Sequence, residues 1–447
     1  MSGQPKILVA GILDTKGDEI KFLAERVKAA GGQPIVMELS VGREMGWADI
    51  SVSQLISLVG HTKEEVFALE RSKASDIIAE GAVKMAGQMV AEGKADGIIA
   101  FGGSMGSSIS TRIMQTLPVG VPKIMLSTMT SGDCAPYVGT KDICMMFPIA
   151  EAGLNRVTRR ILNNGAAAVV GMAKAPALET TEEKPLIGCM MFGVTTPCVL
   201  RASDYFEQRG YDVIINHAVG SGGRSMEELI RDGYIVGMLD ITTHEVGDML
   251  LGGVLSAGPE RLTGAIDKGV PQVMAPGGLD LINFGPLATV PERLLKETDQ
   301  PGRGLYVHNP TVTCIGVSVD EAYQVGQHIA EKINKATAPT VMCIPMRGWG
   351  ACDLPGPNKD LGWTAPGPGP VWAADPEKPE WSLRSGSFTK AMLDFIDKNN
   401  ANLEVLLVDK HMNEPEFADL MAGLLEEMLA GNWKKGSRTD LPYVNSL

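Results

Sequence analysis

An apolar run that ends in small polar residues and leads straight into a helical stretch occurs at residues 6–19 (KILVAGILDTKGDE). It occurs again from residue 185 (PLIGCMMFGVTTP). A buried strand, a short loop and a helix open a βαβ unit, whose strands lie parallel. Each opening is followed by a glycine turn (Gly31-Gly32, then Gly210) and a second apolar strand (PIVMEL, then YDVIINHA). Further on, GIIAFGGSMGSS (97–108) matches GMLDITTHEVGD (237–248), and PKIMLST (122–128) matches PQVMAPG (271–277). Lys6 pairs with Lys184 and Gly31 with Gly210 in this alignment. Matched segments in one order predict an α/β protein of two Rossmann-like, doubly wound parallel-sheet subdomains related by internal duplication. No shorter repeat period is present.

The polar, charged segment 174–184 (KAPALETTEEK) is the expected linker, giving subdomains at 1–178 and 184–447. Residues 62–94 and 151–173 carry helical patterning. The chain closes with a helix near 386–399, a strand at 403–409 and a helix at 414–431. Four of the six tryptophans and seven prolines fall within 349–381, so an insertion spanning about 349–385 is expected to be a packed loop, not a plain linker.

Composition narrows the function. A length of 447 residues suits two cores, and a net charge of −13 without a long basic run argues against nucleic acid as partner. Seven cysteines with no CxxC pair indicate neither a disulfide framework nor a zinc–thiolate site. The charged N-terminus reads as a first strand, and no long apolar run exists, so the expectation is a cytoplasmic protein without a membrane span.

In open parallel sheets, ligands sit beyond the carboxyl ends of the strands. The first half offers Asp14, Thr15 and Lys16 after one strand, and Gly102, Gly103, Ser104, Gly106 and Ser107 after another. After a third come Thr128, Thr130, Ser131 and Gly132. Glycines let backbone amides approach a phosphate, and the helix that follows favours negative charge. The loops match neither the Walker A pattern nor the GxGxxG fingerprint, so they name no particular nucleotide. The second half offers Thr195 and Thr196, Gly222, Gly223 and Arg224, and Thr242. Arg224 has the fork geometry to clamp an anion.

The second half also gathers His217, Asp240, His244, Glu245 and His308 at strand ends. His217, Asp240, His244 and Glu245 are candidate acid–base residues. His217, Asp240 and His308 are a candidate ligand set for a divalent metal such as Mn2+ or Zn2+, consistent with a hydrolase or lyase of a small keto or cyclic compound. A non-catalytic interaction protein with the Trp-rich loop as contact surface is the third alternative.

The segments GILDTKGDEIKFL, AFGGSMGSSIS, LPVGVPKIMLST, YVGTKDI, FGVTTPCV, HAVGSGGRSMEELI, GMLDITTHEVGD, GGLDLINFG and VHNPTV, in this order, resemble the ATP-binding-domain family of the tomato mosaic virus resistance protein. The resemblance covers about 5–348 and resumes in the final helices. It implies two Rossmann-like subdomains, a homodimer or higher homo-oligomer, and a small-molecule ligand, ATP with Mg2+; the leading expectation is an enzyme that acts in the cleft between the subdomains. The chain departs from the family at His244, where a threonine is usual, and in the Trp/Pro-rich stretch 357–382. Both departures imply specialisation towards a small organic substrate.

Overall fold

Strands that are apolar along their whole length need cover on both faces, which is what helices alternating with parallel strands supply. The computed structural model describes residues 3–176 and 183–447. Its contacts divide the chain into two compact units, residues 1–180 and 181–447. The centre of the expected linker, residues 177–182, lies outside the described residues.

In the first unit, β1 (Lys6–Gly11), β2 (Gln33–Glu38), β3 (Gly97–Gly102), β4 (Lys123–Ser127) and β5 (Cys144–Met146) form a parallel sheet in the order β2-β1-β3-β4-β5. Alternation along β1 splits its side chains between two cores. Leu8 and Ala10 pack with helices Val52–Leu58, Arg71–Ala91 and Ser104–Thr116. Ile7 and Val9 pack with helices Leu13–Ala29 and Arg156–Ala173. The helical stretch expected at 62–94 is two helices, Lys63–Phe67 and Arg71–Ala91, the first started by a Thr62 capping box. The Asn155 cap moves the start of the next expected helix from 151 to Arg156 and frees Glu151 for a loop.

In the second unit, β6 (Leu186–Met191), β7 (Asp212–His217), β8 (Ile235–Thr242) and β9 (Gln272–Gly277) come first. Then β10 (Leu281–Phe284), β11 (Leu305–Asn309) and β12 (Val312–Gly316) form a separate antiparallel sheet, so the strand carrying His308 is not part of the main one. The main sheet is completed by β13 (Thr340–Pro345), β14 (Leu403–Val408) and an antiparallel β15 (Val444–Ser446). Its order is β15-β14-β13-β9-β8-β6-β7. Counted from β7, the run β7-β6-β8-β9-β13 repeats the order of the first unit. Register repeats as well: Ile7 pairs with Gly97 and Ile98 with Lys123, while Ile187 pairs with Gly237 and Met238 with Gln272. The register equates Lys6 with Leu186, two positions beyond the lysine chosen by sequence alone.

The Trp/Pro-rich segment is packed. Trp349 is wholly buried, edge-on to Phe388 at 5.3 Å. Trp381 Nε1 donates to Asp409 Oδ1 at 2.7 Å. The buried Arg384 donates to the carbonyls of Gly302, Val317 and Val371 and to Asp353, tying the segment to the antiparallel sheet. No helix among the described residues is long and apolar enough to cross a membrane.

Because Trp349 anchors this segment in the core, Trp349→Ala should cost about 3–5 kcal/mol. Chemical denaturation checks this; a loss under about 1 kcal/mol would show that the ring is not an anchor.

Candidate functional site

The strand order of the first unit reverses between β1 and β3, so the helices that follow them leave on opposite faces and open a crevice. A cavity of about 240 Å³ lies there, lined by Ile12, Thr15, Lys16, Arg71, Glu151 and the run Phe101–Gly106. Helix Ser104–Thr116 starts at this cavity with Gly103 as its cap residue and no side chain on its first amides. Such an end carries roughly half a positive charge and free N–H donors. Gly102 is needed for packing, since a Cβ there would sit 3.0 Å from Gly106 Cα. At Gly106 an added Cβ would meet nothing nearer than 3.8 Å, so the protein's own packing does not demand glycine.

Lys16 breaks the first turn of its helix (φ −129°, ψ 24°), which turns its side chain to the cavity. Its Nζ donates to the Glu151 carbonyl at 2.5 Å and lies 5.9 Å from the Phe101 ring. Arg71 and Glu151 were not foreseen, because they come from a helix and a loop remote in sequence from the strand-end motifs.

Other expected residues of this half are occupied elsewhere. Asp14 Oδ2 accepts from the amides of Gly42 and Arg43 at 3.1 and 3.3 Å, fastening the loop after β2. Ser107 is buried, donating to the Gly103 carbonyl at 2.8 Å and sharing a 2.5 Å contact with Ser127 Oγ. Thr130 and Ser131 bond back to the carbonyls of Ser127 and Thr128 in a short 3-10 turn that ends at Gly132. Of this turn, Thr128 Oγ1 comes nearest the cavity, 3.9 Å from where a Gly103 Cβ would be.

In the second unit the equivalent crevice is filled by the chain itself. The register places Phe192 at the position of Ile12, Thr242 and Thr243 at those of Gly102 and Gly103, and His244 at that of Ser104. Thr195 and Thr242 share a hydroxyl contact of 2.7 Å, Thr243 donates to the Ala275 carbonyl, and Thr196 to that of Gly193. Phe192 stacks on His244 at 4.3 Å and on the exposed His217 at 5.5 Å. Helix Ser221–Arg231 already holds an anion, because Glu245 Oε1 accepts from the amides of Gly220 and Gly223 at 2.6 and 3.1 Å. Gly222 and Gly223 are glycines for close packing: a Cβ on them would lie 1.8 Å from the His217 carbonyl oxygen and 2.2 Å from Glu245 Oε2. Arg224 is exposed and donates to the Ser256 carbonyl.

Arg261, 1% exposed, organises this edge. It holds Asp240 bidentately at 2.5 and 2.6 Å, Glu245 at 2.8 Å and Glu227 at 3.4 Å. Burial works against its charge, but the carboxylates hold its pKa well up. With partners 16 to 34 positions away, Arg261 gave no local motif. The expected metal set is not assembled. Asp240 is committed to Arg261, His308 lies exposed on β11, and no group of three His, Cys, Asp or Glu among the described residues is placed to hold a metal. Asp240 and Glu245 thus serve as fixed structural charges.

Two buried groups at this edge are unpaired. Neither ring nitrogen of His244 has a hydrogen-bond partner, and neither carboxyl oxygen of Asp280 does. Burial, with Arg261 and His217 nearby, pushes His244 down to about 3. Burial and the adjacent Asp353 push Asp280 up to about 7, and burial does the same to Asp248. Between the ordinary 3.8 and about 7, folded Asp280 keeps a proton that the unfolded chain has released, so stability falls as pH rises through that window. His244 acts oppositely: between about 3 and the ordinary 6.5 the unfolded chain binds the extra proton, and stability rises with pH. Between 3.8 and about 7 the Asp280→Asn variant should lose less stability per pH unit than the parent, so that above this window it is the more stable by about 1.4 kcal/mol per pH unit of removed shift. Denaturation midpoints measured across that range test this; an unchanged slope would show that Asp280 does not hold the proton.

Family and relatives are consistent with the two-unit architecture. The model described as Uncharacterised protein family (UPF0261) N-terminal domain matches residues 5–178, and the C-terminal domain model of the same family matches residues 184–360. A UPF0261 protein of Clostridium tetani is 39% identical over 95% of this chain and 99% of its own length. Another, of Rhizobium meliloti, is 41% identical over 78% of this chain and 86% of its own. The ToMV resistance protein Tm-1 of Solanum lycopersicum is 32% identical over 94% of this chain, which spans 55% of that longer protein.

Proposed function

The chain belongs to the UPF0261 family, and we propose that its first unit binds a phosphate-bearing small molecule, ATP by the resemblance, at the β1–β3 crevice. The observation that carries this reading is the uncapped amide end of helix Ser104–Thr116 opening into a cavity lined by Lys16 and Arg71. Free N–H donors, a helix dipole and mobile cations together favour an anion with several oxygens. Lys16 releases the Glu151 carbonyl and turns to the ligand, exchanging a neutral acceptor for a charged one.

Glu151 lines the same cavity, and a carboxylate opposite a phosphate repels it. That arrangement fits the magnesium which the resemblance implies: Mg2+ takes one or two carboxylates, several waters and the ligand's own phosphates. When bound, the ion would neutralise phosphate charge; Glu151 would hold it, and the helix end and Lys16 would hold the phosphates.

Gly106 separates a ligand role from a packing role. Its added Cβ meets only ordinary contacts, so Gly106→Ala should leave the thermal midpoint unchanged or raised. It should weaken binding of Mg·ATP at least about tenfold, or about 1.4 kcal/mol, by blocking approach to the backbone. Calorimetric titration of both proteins decides this. No binding by the parent, or equal affinity in the variant, would contradict the proposal.

A further inference from the structure

The crevice of the second unit is filled, but a larger cavity opens beside it, of about 530 Å³. That volume is within the range that takes a small metabolite. One wall is helix Ser221–Arg231, which turns Arg224, Glu227 and Arg231 to the same side because they follow one another at spacings of three and four. The facing wall is the loop 256–261.

Buried groups fix that loop. Glu227, on the helix, accepts from the amides of Leu262 and Gly264, both at 2.6 Å, and Asp248 accepts from that of Leu255 at 2.9 Å. Lys332 Nζ donates to the carbonyls of Pro259 and Arg261 at 2.5 and 2.6 Å. Gly258 (φ +85°) makes the bend between these anchors. Walls held in this way stand open without a ligand and need little reordering to receive one.

Charge is spread unevenly along the cavity. Arg231 has three carboxylates around it, Glu227 at 3.8 Å and Glu260 and Asp267 at 3.7 Å each, and Glu260 is largely exposed. Arg224, at the other end of the helix face, has no carboxylate within 4.0 Å among the described residues. It reaches over to the Ser256 carbonyl instead, at 3.2 Å, so its guanidinium is spent on one neutral acceptor. Seven residues separate the two arginines, about 10 Å along the helix. With the acids that Arg231 and Arg261 hold, carboxylates outnumber cations here, so a phosphate or a dicarboxylate is repelled. A single carboxylate gains the fork of Arg224 when its own molecule also brings a cation to the acidic end. No three acids or histidines among the described residues are grouped to hold a metal ion, so the acidic end suits an ammonium.

We propose that this cavity is a second ligand site, in the second unit, for an aliphatic amino acid with its two charges at opposite ends. Arg224 leaves the Ser256 carbonyl and forks the ligand's carboxylate, Glu260 takes the ammonium, and the methylene chain lies on Ala257 and Pro259. An α-amino acid holds its charges too close together to reach both ends. The site is independent of the anion reading of the first unit, and either can fail alone.

Calorimetric titration of the intact protein with 6-aminohexanoate tests this, with hexanoate and hexylamine as probes that each lack one charge. 6-Aminohexanoate should bind saturably, and each one-charge probe at least about tenfold more weakly. Arg224→Gln should bring 6-aminohexanoate down to the affinity of hexylamine, and Glu260→Gln to that of hexanoate. Both side chains are exposed, so the thermal midpoints of the variants should match the parent's. No saturable binding of 6-aminohexanoate overturns the proposal. Equal binding of hexanoate does so too, because it makes this a plain carboxylate site. So does an affinity that neither variant lowers, because it puts the ligand elsewhere.

Discussion

A helix that begins at the carboxyl end of a parallel strand brings positive partial charge and free amides to the sheet edge, and something must answer them. In the second unit the chain answers from within. Glu245 caps helix Ser221–Arg231, and Arg261 holds Glu245 in place together with Asp240 and Glu227. The cluster carries more carboxylates than cations, so removing Arg261 would strand several buried charges. That one guanidinium keeps the edge assembled, with its own charge already answered by the three carboxylates.

The first unit has the same strand order and register and leaves the equivalent demand open. Where the second unit has Thr242, Thr243 and Phe192, the first has Gly102, Gly103 and Ile12, and the difference in bulk is a cavity. Duplication followed by divergence therefore leaves one edge with an open cavity, where the proposed anion site falls, and another occupied by its own stacked rings and ion pairs. On the proposed reading, function follows from which copy kept its glycines open, not from the fold, which both share.

Much of this was legible in the sequence. Strand runs such as KILVAGIL and GIIAF, with glycines behind them, gave the parallel sheets, because both-face burial leaves no polar alternation. Lys16, Thr15 and Gly102–Gly106, which line the cavity, stood out because ligands in open parallel sheets sit beyond the carboxyl ends of the strands. Gly222 and Gly223 looked alike in sequence, yet they make room for His217 and Glu245; composition cannot distinguish a glycine kept for a ligand from one kept for a neighbour. Arg261 and Glu151 escaped because their roles depend on contacts far along the chain. His308 was misplaced because a strand's apolar pattern does not say which sheet it joins.

The central claim is that an outside anion binds the open edge of the first unit and not the sealed edge of the second. Amide hydrogen exchange with and without Mg·ATP tests it directly, since bound amides exchange more slowly. The account predicts slowed exchange at residues 13–17 and 102–107 and no change at 220–224 or 242–246. Protection at 220–224 with none at 102–107 would contradict it.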